Sequence, residues 1–189
     1  MDANDLKSLF TEATKRMAVA LDHVKHELGG VRTGRASVTI LDNVHVEAYG
    51  SRMPLNQLAG LSVPEPTMIV AQPFDPSQLG AIEKAIRSSD LGLNPANDGK
   101  VVRIPIPSLT EERRKELSRL VHKLAEEGRN SVRTVRRDAN ERLKKLLKDH
   151  KISEDDERKG LEEVQRITDN HIKLIDDAQK KKDTDLLGR

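Results

Sequence analysis

The residues with the clearest chemical potential are arginines in one short segment. Arg129, Arg133, Arg136 and Arg137 lie within nine residues of each other. At about 100° per residue in a helix, the first three fall within about 60° of each other, and Arg137 borders them. A guanidinium group carries planar donors that suit bidentate contacts to phosphate. The pattern favours a phosphate-binding face over the alternative, a solvated or partner-facing helix surface with ordinary ion pairs.

The charge around these arginines supports the same interpretation. Residues 113–151 contain 14 basic and 6 acidic side chains, a net +8, whereas the whole chain carries only +2. Lys115, Arg119, Lys144 and Lys151 extend the same side of the predicted helix. Aromatic residues make up only 2% of the chain, which is unlike proteins that stack single-stranded bases on aromatic rings. We therefore expect structured RNA as the ligand, while double-helical DNA remains open.

Enzymatic alternatives find little support in the residue types. The chain has no cysteine, so disulfides, zinc thiolates and cysteine nucleophiles are excluded. It has neither a glycine-rich nucleotide loop nor a nucleophile-elbow motif. His23 and His26 could form a metal pair on a helix, but the sequence places no third ligand, and a solvated face is the favoured interpretation. We expect no catalytic residue, no metal and no cofactor.

Three amphipathic helices must position the arginines. The first ends at Gly29-Gly30, the second runs from about Thr110 to Asp149, and the third begins at Ser153, where residues 153–156 have capping-box spacing with Asp in place of Glu. The apolar seam of the first helix is Leu6, Phe10, Ala13, Met17, Leu21, Val24 and Leu28. Because no helix buries its seam alone, the sequence predicts a three-helix bundle. Gly128, in the middle of the second helix, suggests a close approach by another helix.

A mixed segment interrupts this bundle. All 8 prolines lie between Pro54 and Pro107, together with most of the turn signals. Strands are predicted at 44–49, 58–63, 67–72 and 101–104, with a short helix at 76–89 capped by Asp75. The predicted fold class is therefore α+β: an elongated three-helix bundle formed by residues 1–30 and 106–189, with a small β/α domain inserted at residues 31–105.

The two connections between these parts are candidate hinge elements. Arg32, Gly34 and Arg35 lie where the chain leaves the bundle, and Pro105 and Pro107 lie where it returns. Two short connections at one edge predict rigid-body rotation of the inserted domain. The arginines could bond carbonyl groups at the joint or contact a ligand, and the joint role is favoured.

The remaining expectations concern location and assembly. The first ten residues are acidic rather than basic and apolar, and no run approaches the ~18 apolar residues of a membrane span. We expect a cytoplasmic monomer without a membrane partner.

Several segments resemble the bacterial ribosome recycling factor family. They match in order over nearly the whole chain, at residues 32–37 (RTGRAS), 89–95 (SDLGLNP), 109–115 (LTEERRK), 132–140 (VRTVRRDAN) and 148–156, where KD precedes ISEDD. The resemblance implies an L-shaped molecule in which a β/α/β domain is inserted after the first helix of a long bundle. It also implies a translation factor that is not an enzyme and that splits the post-termination ribosome together with elongation factor G, releasing it from mRNA.

The resemblance assigns roles to the arginines. Arg136 matches the family's key bundle arginine, and Arg133 and Arg137 fall within the same motif, whereas Arg129 is included by charge and register only. The implied ligand of this face is the RNA of the large ribosomal subunit. Two alternatives from other classes are a structural coiled-coil adaptor, which would self-associate and bind independently of salt, and a hydrolase with a concealed pocket.

Overall fold

The computed structural model of the chain describes residues 3–187 and contains four α-helices and six strands in those residues. In chain order they are α1 (Ala3–Gly29), β1 (His45–Ala48), β2 (Ser51–Pro54), β3 (Ala59–Glu65), β4 (Met68–Pro73), α2 (Leu79–Arg87), β5 (Ala96–Asn97), β6 (Val102–Pro105), α3 (Glu111–Lys148) and α4 (Glu154–Leu187). The described residues form two compact units. One comprises the chain up to Arg32 and from Glu111 onward, and the other comprises Thr33–Thr110.

The first unit is a bundle of the three long helices, and each packs against both others. The α1 seam is buried from Ala13 to Leu28 as the spacing predicts. At its start the prediction is wrong by one position, because Leu9 is 1% exposed and takes the core site assigned to Phe10, which is only half-buried. The buried residues of α3 are Leu117, Val121, Ala125, Gly128, Val132, Val135, Ala139 and Leu143.

Gly128 is a point in this core where side chains of the other two helices pack directly against α3. A Cβ placed on it would lie 2.1 Å from Val24 Cγ2 of α1 and 3.5 Å from Ile175 Cδ1 of α4. The 2.1 Å distance to Val24 leaves no room for a side chain, since ordinary carbon contacts are about 3.5–4.0 Å, and the distance to Ile175 is at the close end of that range. The prediction of a close helix approach at Gly128 is confirmed.

Polar contacts fix the ends and edges of the bundle. The Ser153 Oγ accepts a hydrogen bond from the Asp156 backbone N–H at 3.1 Å, and the Asp156 carboxylate accepts one from the Ser153 N–H at 3.1 Å. This reciprocal pair is the predicted capping box with Asp in the Glu position. Between α1 and α3, Arg16 pairs with Asp138 at 2.9 Å, and Glu12 pairs with Arg142.

The second unit contains a four-stranded antiparallel sheet in the order β3-β4-β6-β5 and a separate hairpin, β1-β2. Helix α2 packs against β1 and β6, and its Ile82 and Ile86 are fully buried in the core of this unit. The sequence predicted β1, β3, β4 and β6 to within a few residues but missed β2 and β5. β2 has no buried residue and β5 has only two residues, so neither carries a hydrophobic alternation that could be recognised.

The β1-β2 turn depends on an unusual tyrosine. Tyr49 and Gly50 are the two loop residues of the hairpin and both have positive φ, 52° and 75°, as a type I′ turn requires. The Tyr49 hydroxyl donates a 2.6 Å hydrogen bond to Asp75, whose other carboxylate oxygen caps the turn before α2 through the Ser77 N–H at 2.9 Å. The hydrogen bond from Tyr49, followed by that from Ser77, lowers the pKa of Asp75.

Replacing Tyr49 with phenylalanine should therefore raise the pKa of Asp75 toward its ordinary value, with the Ser77 N–H retaining part of the shift. The folded-state pKa of Asp75 is below that of the unfolded chain. Its contribution to stability is thus present above the ordinary carboxylate pKa and is lost as the pH falls through the folded-state value. A carboxyl ¹³C NMR titration of both proteins measures the change, and identical Asp75 titration curves would contradict the assignment.

Candidate nucleic-acid interface

The predicted arginines of α3 are spread over about 100° around the helix axis, so they do not all face the same surroundings. Taking Arg133 as the reference, Arg137 and Lys144 lie about 40° and 20° to one side, whereas Arg129 and Arg136 lie about 40° and 60° to the other. That second side faces α4, because Arg129 and Arg136 both contact α4 residues. The arginine segment therefore has an outer edge in solvent and an inner edge against a neighbouring helix.

Arg129 belongs to the inner edge and is largely withdrawn from solvent, unlike the open phosphate-binding face to which the sequence assigned it. Its side chain is only 14% exposed. Its Nε donates to Asp176 of α4 at 2.8 Å, its Nη1 donates to Glu126 at 3.0 Å, and its Nη2 donates to the Gln179 side-chain oxygen. The helical register places Arg129 beside Arg133, but the acceptors that bind it come from α4, and spacing within α3 could not reveal them.

The electrostatics of Arg129 explain why it can be largely withdrawn from solvent. Burial by itself would lower its pKa, but the hydrogen bonds to Asp176 and Glu126 outweigh that effect and raise it. The same contacts act on Glu126, whose pKa is lowered by its hydrogen bonds from Arg133 and then from Arg129. Arg129 thus remains charged and forms an ion pair that links α3 to α4.

Arg133 lies at the outer edge, with a partner of its own. Its side chain is 42% exposed, and its Nη1 donates to Glu126 at 2.8 Å and to the Asn130 side-chain oxygen at 2.9 Å. Glu126 thereby bridges Arg129 and Arg133 through its two oxygens. Such an exposed pair is worth about 0–1 kcal/mol, so a phosphate could replace the carboxylate at little cost.

Arg136 and Arg137 carry the least neutralised charge of the four. Arg136 is half-buried, and its Nη1 donates at 3.5 Å to the uncharged side-chain oxygen of Gln165 on α4. Arg137 is exposed and has no hydrogen-bond or carboxylate partner among residues 3–187. Arg133, Arg136, Arg137 and Lys144 share one shallow depression, whose remaining lining residues are Asn130, Thr134, Asn140 and Glu141. Four cations and a single carboxylate therefore line this patch, which we call the α3 arginine patch.

The sequence missed the α4 residues that shape this patch. Gln165, Asp169, Asp176 and Gln179 are polar residues at spacings of 4, 7 and 3 along α4, which places them on one flank of that helix. Such a polar row beside an apolar seam is a usable signal for an inter-helix contact. It does not indicate which neighbouring helix is contacted.

Of the predicted hinge residues, Arg32 is the last residue of the first unit before the chain enters the second, and Gly34, Arg35, Pro105 and Pro107 lie towards the two ends of the second unit. Gly34 has φ +72°, and a Cβ on it would lie 3.1 Å from Leu109 Cγ, so the outgoing and returning chains run side by side within this unit. Arg32 and Arg35 are exposed. Pro105 ends β6 opposite Met68 of β4, and Pro107 is exposed two residues later. Gly34 therefore allows the chain to take a positive φ and to pass close to Leu109. A hinge function of these five residues remains a prediction.

Other kinds of site are not apparent in the described part of the chain. His23 and His26 are exposed, and no cluster of three or more metal-ligating side chains exists among residues 3–187. His171 is buried, and its Nδ1 donates to the Ile167 carbonyl oxygen at 2.8 Å, so it serves the bundle core. In the same residues, no helix is long and apolar enough to cross a bilayer.

These features define a class of protein: a three-helix bundle with a cationic patch on one helix, interrupted after its first helix by a small α/β unit. The family model described as "Ribosome recycling factor" matches residues 24–187. The chain belongs to the ribosome recycling factor family.

Individual relatives cover nearly the whole chain. The ribosome-recycling factor of Rubrobacter xylanophilus is 52% identical over 177 residues, which is 94% of this chain and 95% of that protein. That of Bradyrhizobium diazoefficiens is 53% identical over 176 residues, covering 93% and 94%. The family expected from the sequence motifs is confirmed.

Solved structures agree with this assignment. A solution structure of ribosome recycling factor superposes with a TM-score of 0.75 at 43% identity and covers 100% of both chains. A second structure presents models of the T. thermophilus ribosome recycling factor and the E. coli elongation factor G bound to the E. coli post-termination complex. Its matching chain has a TM-score of 0.64 at 48% identity and covers 97% of this chain and 99% of that one.

Proposed function

We propose that this protein recycles ribosomes after termination by splitting the post-termination complex together with elongation factor G, and that its bundle binds large-subunit rRNA through the α3 arginine patch. A homologous chain that is 48% identical has been placed with elongation factor G on a post-termination complex, which supports the choice of partners. The protein acts by binding and displacement rather than by catalysis.

The observation that carries the RNA part of this proposal is the unequal neutralisation of the four arginines. Arg129 is bound to two carboxylates and is only 14% exposed, whereas Arg137 has no partner among the described residues and Arg136 has only an amide oxygen. Guanidinium groups that the protein itself leaves without carboxylates are available for phosphates. The direct contacts are assigned to Arg136 and Arg137, which have no carboxylate partner among the described residues, and to Arg133, whose exposed pair with Glu126 is weak enough for a phosphate to replace it. Arg129 acts inside the bundle.

The mechanism follows from an anchored bundle and a separately folded second unit. The arginine patch holds the bundle on the phosphates of folded rRNA, which is gripped by backbone and shape rather than by base stacking. The connections that contain Arg32–Arg35 and Pro105–Pro107 serve as the hinge. Elongation factor G displaces the second unit, and the bundle transmits that displacement to the contacts between ribosomal subunits.

Replacing Arg136 with alanine tests the anchoring role. The variant should lose about 1–3 kcal/mol of ribosome affinity, and its log–log salt slope should flatten by about 1, as expected when one phosphate contact disappears. Co-sedimentation with 70S ribosomes across a salt series measures both quantities. Arg166→Ala is the matched control, since it removes one exposed arginine of α4 that pairs only with Glu163 of its own helix among the described residues.

Unchanged co-sedimentation of the Arg136 variant would contradict anchoring through this patch. Salt-independent ribosome association of the wild-type protein would favour a protein–protein adaptor. Breakdown of polysomes in the presence of elongation factor G and GTP tests the recycling activity itself.

A further inference from the structure

We propose that Gln165 of α4 is a positioning residue that holds the Arg136 guanidinium in place for RNA while leaving its charge free. This inference rests on the proposed RNA contact of Arg136 and adds a residue from a different helix to that site. Gln165 has no direct contact to the ligand in this proposal; it acts only through Arg136.

The orientation of the Gln165 amide is set by its neighbour on α4. Its Nε2 donates a 2.7 Å hydrogen bond to Asp169 Oδ1, one helical turn away. An ionised carboxylate can only accept, so the amide nitrogen must face Asp169 and the amide oxygen must face the other way. That oxygen is the atom that accepts the 3.5 Å contact from Arg136 Nη1. Asp169 therefore acts through Gln165 to aim an acceptor at the arginine.

The chemical type of this acceptor is the important feature. Arg129 and Arg133 are held by the carboxylates of Glu126 and Asp176, which cancel their charge locally. Arg136 is held by a neutral amide and keeps its full positive charge. A guanidinium has five N–H donors, so one bond to Gln165 leaves the others for phosphate oxygens. Asp169 is negatively charged, but its carboxylate binds the Gln165 amide nitrogen and not the Arg136 guanidinium.

Such an arrangement lowers the cost of binding. A free arginine side chain loses rotamer freedom when it is immobilised on a ligand, and a side chain already held in the free protein loses less. Arg137, which has no partner among residues 3–187, offers the contrast of an arginine on the same patch without such support. Gln165 thus makes Arg136 the preorganised member of the patch.

Two substitutions of Gln165 separate positioning from ordinary stabilisation. Gln165→Met keeps the length and removes the acceptor, and it should weaken binding to 70S ribosomes roughly 2- to 10-fold. Gln165→Glu replaces the amide with a carboxylate, which Asp169 repels toward Arg136, and the resulting ion pair competes with phosphate. Its ribosome affinity should fall further and approach that of Arg136→Ala, while its thermal unfolding midpoint is no lower than that of Gln165→Met. A purely structural role predicts that affinity and stability move in the same direction.

The control for added charge is Asn170→Asp. It makes the same amide-to-carboxylate change at an exposed position of α4, about 140° around the helix from Gln165. It should bind ribosomes like the wild type. In the Arg136→Ala background, neither Gln165 variant should cause a further loss, because the residue through which it acts is gone.

The outcomes distinguish this inference from the function on which it rests. If Arg136→Ala weakens binding and both Gln165 variants bind like the wild type, the positioning role is wrong and the RNA patch stands. If the Gln165 variants lose the same affinity with and without Arg136, they act by another route and the inference is overturned. If Arg136→Ala itself has no effect, the proposed RNA contact fails and the inference fails with it.

Discussion

A variant with alanine at positions 133, 136 and 137 should lose ribosome association at physiological salt almost completely. Each arginine that contacts phosphate specifically contributes about 1–3 kcal/mol, and two such contacts at the middle of that range already correspond to more than a hundredfold in affinity. The three side chains line a single depression, so their contributions are coupled and the total need not equal the sum of single substitutions. The physical reason for the large effect is that only one carboxylate lies in the patch to substitute for the RNA.

The measurement is a salt series of ribosome co-sedimentation, supported by polysome breakdown with elongation factor G and GTP. The slope of log affinity against log salt should fall by up to about 3, one for each phosphate contact. A triple variant with alanine at the exposed α4 positions Lys159, Arg166 and Lys173 removes the same net charge and should retain binding. Equal losses in the two triple variants would show that net charge, and not the α3 arginine patch, governs ribosome affinity.

The second large effect is expected from Gly128→Ala in the bundle core. The new methyl group would lie 2.1 Å from Val24 Cγ2, and Val24 is a β-branched residue that cannot rotate away freely. The helices must separate locally, which costs about 1–3 kcal/mol of the free energy of unfolding even though alanine is about 1 kcal/mol better than glycine in a helix. Urea unfolding followed by circular dichroism, which is dominated by the long helices, measures the loss.

Two further variants isolate the cause of this loss. Val24→Ala creates room at the same point, so Gly128→Ala should cost far less in a Val24→Ala background than in the wild type. Gly80→Ala makes the same change in α2, where no atom lies within 4 Å of the added methyl group, and it should be neutral or stabilising by up to about 1 kcal/mol. A Gly128→Ala protein as stable as the wild type would contradict the close packing at this point.

Packing at Gly128 also affects the α3 arginine patch. Arg129 follows Gly128 directly in α3 and reaches Asp176 and Gln179 on α4. A displacement of α3 away from Val24 of α1 would change its position against α4, and with it the geometry of those bonds and of the 3.5 Å contact between Arg136 and Gln165. We therefore expect packing at Gly128 and ribosome affinity to be linked, with the stability effect the larger of the two.

Much of the fold could be predicted because helices and caps depend on local spacing. The α1 seam from Ala13 to Leu28 and the capping box at Ser153 and Asp156 are properties of residues three or four positions apart. Predictions failed where two neighbouring apolar residues fit the helical spacing equally well. Leu9 and Phe10 are both apolar and adjacent, and only the neighbouring helices decide which one is buried. Leu174 and Ile175 of α4 are likewise adjacent and apolar, and Leu174 is 38% exposed whereas Ile175 is fully buried.

The sequence by itself determined the family, the three long helices and the helix that carries the arginines, because each of these depends on motifs or periodicity within one segment. Only the tertiary structure decided which arginines keep their charge. Arg129 is neutralised by Asp176, nearly fifty residues away along the chain, and Arg136 is met by the uncharged Gln165. Coulombic and hydrogen-bond energies depend on distances of a few ångströms between side chains. Those distances are set by the packing of α3 against α4, and neither helix encodes them alone.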